Sequence, residues 1–272
     1  MPAMSPWGAF LTSAAVLFGP WALMPLRGRR EIRGGVGVLW WVNAAYCAFW
    51  HRLEVGWDDP LPAEGPLILI SNHTCCIDHM LLQASTRRLL GFLIAKELYE
   101  KPLFRPFCRI ARCIPVRRDG NDVAATKAAL RALAEGRVVP VFPEGRISPT
   151  SGREFGEGKP GVAFLALRAG VPVIPAYICG TPETRNVLGS YLTPSRARVR
   201  FGPPIDLSDL FREGKVDRGR VDEVTRRFMD ALRALRDNPP EGETPGEDPS
   251  HGHRPDAGPG ALPGGRPAVD PT

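Results

Sequence analysis

Short apolar runs of strand-forming residues constrain this chain more than any other feature of its sequence. They lie at residues 66–70, 91–95, 138–142 and 171–179, with a shorter one at 113–116, and glycine, proline or charged residues follow or precede them. Runs of this length are typical of buried strands. Residues 53–57 alternate apolar and polar side chains, which predicts one further strand.

Segments with helical periodicity lie between these runs. They cover residues 77–90, 122–134, 161–169 and 221–235, and Asp122 is placed to cap the second of them. Strands that alternate with helices predict an α/β layer fold with a mostly parallel sheet flanked by helices. In such sheets ligands bind beyond the carboxyl ends of the strands.

A histidine and an aspartate follow the first apolar run directly. His73 lies in the turn after residues 66–70, and Asp78 comes five positions later, where the next helix begins. If the chain folds back there, the carboxylate holds one ring nitrogen and leaves the other free as a base. The alternative is a histidine that caps the helix beside an unrelated surface aspartate.

Charged residues also follow the other predicted strands. They are Lys96, Arg118 and the Glu144-Gly145-Arg146 run. Because these positions share the carboxyl ends of parallel strands with His73, we expect them to converge on one site. The simpler interpretations are a capped turn at Glu144 and solvated charges at the others.

The N-terminus predicts a membrane anchor. Residues 7–26 carry no charge and are followed by Arg27, Arg29, Arg30 and Arg33; residues 34–50 are apolar and rich in tryptophan. A signal peptide carries its charge before the apolar segment, not after it. We predict a membrane-anchoring hairpin, or one span plus an interfacial helix, with the arginines on the cytoplasmic side. The alternative is an ordinary buried helical hairpin.

Residues 239–272 are rich in proline and glycine and nearly free of large apolar residues, which predicts a disordered tail. The predicted organisation is therefore an anchor at residues 1–52, an α/β domain at 53–238 and the tail. Of the net charge of +6, the tail contributes −4, so residues 1–238 carry +10. A basic body suits a partner that carries phosphate.

The six cysteines form no C-x-x-C pair, which favours reduced thiols facing a cytosolic compartment. No cluster has metal-ligand spacing. The aromatic residues lie mainly in the apolar N-terminal segments and not among the basic residues, which argues against a nucleic-acid partner.

Four blocks occur in order over about a hundred residues. They read Asn72-His73-x4-Asp78, Ile114-Pro115-Val116-Arg117-Arg118, Phe142-Pro143-Glu144-Gly145-Arg146 and Val171-Pro172-Val173-Ile174-Pro175. This series resembles the glycerolipid acyltransferase family, that of 1-acyl-glycerol-3-phosphate acyltransferase. The resemblance covers about residues 53–201, and an N-terminal membrane hairpin is also typical of the family.

The resemblance implies a role for each matching position. His73 would be the general base for the acceptor hydroxyl, Asp78 would orient it, and no acyl-enzyme would form. Arg118 would hold the acceptor's phosphate, and Glu144, Gly145 and Arg146 would line the acceptor site. Lys96 would add charge there, and Lys159 is a weaker candidate of the same kind. A Cys–His nucleophile made from Cys75 or Cys76 is the alternative mechanism.

The sequence departs from the family pattern in several places. Cys75 replaces a serine, Arg112 a glycine and Arg117 an aspartate, and Arg146 stands one position earlier than the usual arginine. These changes do not alter the residues expected to carry out the reaction, but they leave open which lipid is the acceptor.

The predicted protein is a membrane-associated enzyme with its active site facing the cytoplasm. Its substrates would be a lysophospholipid, foremost 1-acyl-glycerol-3-phosphate, and acyl-CoA or acyl carrier protein, with no cofactor and no metal. Another lysophospholipid or an aminolipid is the alternative acceptor. A non-catalytic module that binds anionic lipid is the alternative from a different class.

Overall fold

The strand that leads to His73 is the centre of the sheet. The structure, a computed structural model, describes residues 32, 34–54, 59–117, 122–184, 186–211 and 216–238. Within them the strands are β1 (Leu67–Ser71), β2 (Leu93–Ala95), β3 (Ile114–Val116), β4 (Val138–Val141), β5 (Val173–Cys179) and β6 (Arg198–Phe201). The helices are α1 (Gly34–Trp50), α2 (Asp78–Ala84), α3 (Lys96–Tyr99), α4 (Arg105–Ile110), α5 (Val123–Ala134), α6 (Pro160–Ala169), α7 (Val187–Leu192) and α8 (Arg218–Asp237).

The main sheet has the strand order β4-β1-β5-β6. β1 pairs in parallel with β4 and β5 on its two sides, and β6 pairs antiparallel with β5. β2 and β3 form a second parallel pair, and Leu90, just before β2, bridges to Val138 of β4 in parallel. The carboxyl ends of β1 to β5 therefore point to the same edge, as the predicted mostly parallel α/β fold requires.

Both faces of the sheet are buried. Ile68 and Ile70 of β1 pack into the cluster formed with α5, α6 and α8, whereas Leu67 and Leu69 pack into the cluster formed with α1 and α2. Since alternate side chains of a strand point to opposite faces, a strand covered on both faces is apolar throughout. This explains the unbroken apolar run at residues 66–70.

The helix after His73 is shorter than its periodicity predicts. We expected it over residues 77–90, and α2 ends at Ala84. The Gln83 side chain accepts from the Leu90 amide at 2.9 Å and donates to the Arg88 carbonyl at 2.9 Å. These bonds turn the chain toward the sheet, where Leu90 bridges to β4. The apolar residues 89 and 90 belong to this return and not to the helix.

The predicted strand at residues 53–57 is also wrong where it is described. Leu53 and Glu54 have no strand partner, and residues 55–57 lie outside the described chain. Leu53 is buried in the α1–α2 cluster, so burial in a loop explains the apolar part of the pattern.

α1 lies against α2 and leaves its other side exposed. Trp40 donates its indole N–H to the carbonyls of Gln83 and Thr86, and Asn43 donates to that of Met80. Val42 and Phe49 remain exposed. No helix within the described residues is long and apolar enough to cross a bilayer. The predicted apolar segment at residues 7–26 and the predicted tail at 239–272 lie outside the described residues.

A buried histidine joins the end of α1 to the segment before β6. The Tyr46 hydroxyl donates to the Tyr191 carbonyl at 2.7 Å, so it accepts from His51 Nε2 at 3.0 Å. His51 Nδ1 is then the acceptor for the Ser195 hydroxyl at 2.9 Å. Burial lowers the pKa of His51 to about 4, which keeps the ring neutral.

His51 should make the fold sensitive to mild acid. Its folded-state pKa lies below the unfolded value of 6.5, so the unfolded chain binds the proton more tightly. The contribution of His51 to the free energy of unfolding is complete above about pH 6.5. It falls as the pH drops toward 4, by about 2 kcal/mol between pH 7.5 and 5.0. Urea unfolding followed by tryptophan fluorescence would measure it. His51→Gln should show a smaller pH dependence, and an unchanged one would contradict the assignment. His79, whose pKa burial also lowers to about 4, contributes equally in both proteins.

Candidate active site

His73 and Asp78 form a direct pair at the carboxyl edge of β1. His73 Nδ1 lies 2.7 Å from Asp78 Oδ2, and the contact the spacing predicts is therefore present. Because a carboxylate accepts, Nδ1 carries the proton and Nε2 keeps its lone pair. Asp78 is fully buried and the His73 side chain is 20% exposed. The unprotonated Nε2 therefore belongs to His73, the residue of the pair that solvent reaches.

The Asp78 carboxylate collects further donors from the turn that it closes. Oδ2 accepts from the backbone amides of Thr74 at 2.5 Å and Cys75 at 3.1 Å. Oδ1 accepts from the Thr74 hydroxyl at 2.5 Å, and that hydroxyl accepts from Thr181 at 2.9 Å. A buried carboxylate needs such donors to offset its desolvation. They also fix the carboxylate in position relative to the imidazole.

The His73 ring and backbone are held by the third block. Phe142 stacks on the imidazole with centroids 4.1 Å apart and planes 8° from parallel. The His73 amide donates to Glu144 Oε1 at 3.1 Å. The ring plane and the chain direction at His73 are therefore both set from the end of β4, the strand next to β1.

Glu144 is a buried carboxyl whose oxygens both accept backbone amides. Its Oε2 accepts from Gly156 at 2.7 Å, in addition to the His73 contact. Burial raises the pKa of Glu144, against the lowering effect of these two amides. This arrangement gives Glu144 a positioning role for His73. Its predicted place in substrate binding stays a prediction.

The Asn72 side chain ties β1 to β5 beside the pair. Its amide nitrogen donates to the Ile178 carbonyl at 2.8 Å, and its oxygen accepts from the Ile178 amide at 2.7 Å. The two bonds imitate a strand pairing just past the end of β1. They keep the turn that carries His73 fixed against the sheet.

The neighbouring thiols are unsuited to nucleophilic attack. Cys75 is buried, its Sγ lies 3.7 Å from Asp78 Oδ1, and burial, with the nearby carboxylate, raises its pKa to about 12. Burial also raises the pKa of Cys76. The thiolate is the nucleophilic form, so a raised pKa opposes an acyl-enzyme on either residue.

The remaining predicted residues surround the same edge more loosely. Lys96 follows β2, is half exposed and lies 3.6 Å from Glu100. Gly145 has φ of 71°, which favours glycine, and closes the turn after β4. Arg146 is exposed, and its guanidinium has no partner among the described residues. Arg118 lies outside the described residues.

Lys159 lies beside the third block. Its amide donates to the Pro143 carbonyl at 2.8 Å, and its Cγ would lie 3.5 Å from a Cβ placed on Gly145. Its ammonium group pairs with Glu157 at 2.9 Å. No group of three or more metal-ligating side chains occurs within the part of the chain that is described.

Comparison with known proteins agrees with this geometry. Residues 52–179 match the model of the family described as Acyltransferase, and this range contains His73, Asp78, Glu144 and most of the sheet. The domain at residues 52–179 belongs to the acyltransferase family. The glycerolipid acyltransferase resemblance of the sequence is thereby confirmed.

The acyltransferase domain also has relatives of stated activity. A 1-acyl-sn-glycerol-3-phosphate acyltransferase of Bacillus subtilis is 22% identical over 151 residues, 55% of this chain and 72% of that protein. A lyso-ornithine lipid O-acyltransferase of Brucella abortus is 28% identical over 163 residues, 56% of this chain and 59% of that protein. The chain spans about half the length (54%) of mycobacterial relatives that it matches over 202 residues.

A solved structure shares the fold. The crystal structure of the 1-acyl-sn-glycerophosphate acyltransferase PlsC from Thermotoga maritima superimposes with a TM-score of 0.58 at 21% identity. The likeness covers 85% of this chain and 93% of that one. The α/β fold with a mostly parallel sheet flanked by helices is therefore confirmed.

Sequence reasoning missed several residues that build the site. Thr74, Thr181, Phe142 and Gly156 all contact His73, Asp78 or Glu144 directly or through one hydroxyl. Phe142 lies inside one of the four blocks, so its place in the site could have been inferred from the sequence. Thr181 and Gly156 are brought in by the fold and carry no local pattern.

Gly156→Ala should disturb the site through Glu144. A Cβ there would lie 2.7 Å from Glu144 Oε2, so the carboxyl must move and weaken its bond to the His73 amide. We expect a loss of about 1–3 kcal/mol in unfolding free energy and a lower turnover of the enzyme. Gly161→Ala is the matched control, because nothing lies within 4 Å of its Cβ position. Equal behaviour of the two variants would contradict the positioning role of Glu144.

Cys75→Ala separates direct transfer from an acyl-enzyme. The buried, protonated thiol is not a nucleophile here, so we expect activity within a few-fold of wild type. Steady-state acyl transfer would measure it, with Cys47→Ala as the control for loss of a buried thiol. A loss of several orders of magnitude in Cys75→Ala alone, or a covalent acyl group on Cys75 in intact-mass spectra, would restore the acyl-enzyme.

Proposed function

We propose that this protein moves a fatty acyl group from an acyl thioester to the free hydroxyl of 1-acyl-glycerol-3-phosphate, making phosphatidic acid. The observation that carries the proposal is the His73–Asp78 contact of 2.7 Å at the carboxyl edge of the sheet. It supplies an imidazole of fixed tautomer whose second nitrogen is open to a substrate.

His73 Nε2 would take the proton of the acceptor hydroxyl as the oxygen attacks the thioester carbonyl. The new C–O bond forms, the C–S bond breaks, and the leaving sulfur takes the proton from the imidazolium. Asp78 stabilises the imidazolium while it exists and is not itself protonated. A thiolate is a good leaving group, so a base and correct positioning supply much of the acceleration.

The acceptor's phosphate would lie against the cations of the same edge. β2 and β3 pair with Ala95 opposite Val116, so Lys96 and the Arg117-Arg118 pair follow neighbouring strand ends. Arg146 and Lys159 flank the turn at Gly145 after β4. We assign Lys96, Arg118 and Arg146 to the phosphate, because cations at strand ends next to the base can hold it in reach.

A second acceptor class is favoured by one relative. The Brucella abortus protein that matches this chain acts, by its name, on a lyso-ornithine lipid. The early position of Arg146 and the extra Arg117 also suit a different headgroup. The catalytic steps remain the same in this alternative, and only the groups around the headgroup change.

The enzyme would work at a membrane, with acyl-CoA or acyl carrier protein as the donor and no cofactor. The exposed apolar side chains of α1, among them Val42 and Phe49, support an interfacial position for this helix. The predicted cytoplasmic orientation rests on the arginines after residues 7–26, because positively charged residues that flank a membrane segment are found in excess on the cytoplasmic side.

Acyl transfer by isolated membranes, measured by mass spectrometry, tests the proposal. We would offer acyl-CoA or acyl carrier protein with a panel of lysophospholipids and lyso-ornithine lipid. His73→Ala should lower phosphatidic acid formation about 10²–10⁴-fold, since that is the usual contribution of a general base. His51→Gln is the control for replacing a buried histidine, and it should retain activity at pH 7.5.

Each outcome decides between the candidates. His73-dependent transfer to another lipid would keep the mechanism and replace the acceptor. No His73-dependent product from any acceptor would reject the enzyme and leave a module that binds anionic lipid.

A further inference from the structure

The segment from α3 to α4 exposes large apolar side chains between basic ones. Leu103 is 83% exposed, and Phe104, Phe107 and Ile110 are also exposed. Between residues 101 and 110 only Cys108 is buried. Side chains of this size at four of eight positions are unusual on a surface in contact with water.

The basic residues of this segment are interleaved with the apolar ones, so the expectation that aromatic residues do not lie among basic ones is wrong for this segment. They are Lys101, Arg105, Arg109 and Arg112. Arginine in a bilayer interface keeps its stem among apolar groups and its guanidinium at the headgroups. Residues 101–112 contain no acidic side chain, so the charge of the segment complements an anionic bilayer. The alternation therefore favours a lipid surface over a protein partner.

A basic cavity opens beside the same segment. It has a volume of about 310 Å³, and its lining includes Arg109, Arg112, Arg131 and Arg137, with Glu135 as the one acidic residue. Arg137 lies 3.6 Å from Glu135 and donates to the Arg112 carbonyl at 2.5 Å. The guanidinium groups of Arg109, Arg112 and Arg131 have no partner among the described residues.

The cavity is separate from the candidate active site. Its wall includes Cys113 and Ile114 at the start of β3, and Arg137 just before β4. His73 and Glu144 follow the opposite, carboxyl ends of β1 and β4. No residue given above a role in acyl transfer lines the cavity.

The backbone holds one of these arginines in a conformation that does not suit it. Arg112 has φ of 53°, in the left-handed region where glycine costs least. This position places its side chain at the cavity and its carbonyl under Arg137.

We propose that the α3–α4 surface, consisting of Lys101, Leu103, Phe104, Arg105, Phe107, Arg109, Ile110 and Arg112, docks on an anionic bilayer and that the adjoining cavity takes a phospholipid phosphate. The apolar side chains enter the interface and the arginines meet the headgroups. This contact is additional to any made by the N-terminus, and it does not depend on acyl transfer.

Hydrogen exchange of the full chain tests the docking locally, so that binding through another segment does not hide it. Amides of residues 98–112 should be protected by vesicles of phosphatidylcholine mixed with phosphatidylglycerol, and little by phosphatidylcholine alone. Arg109→Gln combined with Arg112→Gln should raise the vesicle concentration needed for half protection, by about 5-fold for each arginine. Phe104→Ala combined with Phe107→Ala should also weaken protection.

Phe164→Ala combined with Arg168→Gln is the matched control, because both residues are exposed on α6. It should leave the protection unchanged, and His73→Ala should do so too, which separates this test from that of the enzyme. Equal protection on neutral vesicles, or protection by inorganic phosphate alone, would overturn the proposal. Protection by acyl carrier protein but not by vesicles would overturn it in favour of an acidic protein, and no protection at all would reject it.

Discussion

The Asp78 carboxylate is fully buried, and many of the hydrogen bonds in the site compensate for the water that it loses. A charged group without exposure is stable only if donors replace the water that it loses. Here the imidazole, two backbone amides and a hydroxyl surround it, all from residues 73–75. The turn can take only the shape that brings these donors together. The orientation of His73 is a consequence of that shape.

The surrounding fold holds this turn from two neighbouring strands. Asn72 attaches it to Ile178 of β5, and Glu144 attaches the His73 amide to the end of β4. Phe142 covers one face of the ring. The geometry of the His73–Asp78 pair therefore depends on the alignment of three parallel strands, which the two apolar layers of the core maintain.

Much of this arrangement could be predicted from the sequence, and the failures have physical causes. The strands at residues 66–70 and 138–142 were predicted correctly to within a residue at each end, because burial on both faces requires continuous apolar runs. The end of α2 was missed because the bonds of Gln83 to the chain near Leu90, and not periodicity, end that helix. β6, α3, α4 and α7 were not predicted.

Long-range contacts account for most of what the sequence did not reveal in the site. The pairing of His73 with Asp78 follows from local spacing, and it was predicted. Gly156 and Thr181 act through contacts made only after folding, and neither lies in a recognised block. The exposed residues around Phe104 and Phe107 have ordinary composition for a helix, so only their exposure in the fold distinguishes them.

The position of the histidine and its carboxylate partner within six consecutive residues has a consequence for how such a protein can change. His73 and Asp78 and their donors are encoded by one short stretch, whereas the cations at the other strand ends come from separate loops. Under the proposed function, a change in those loops would alter which headgroup is accepted and would leave the His73–Asp78 pair unchanged. In a protein of this design, substrate preference could therefore diverge while the chemical step is retained, because the two depend on different segments at one edge of the sheet.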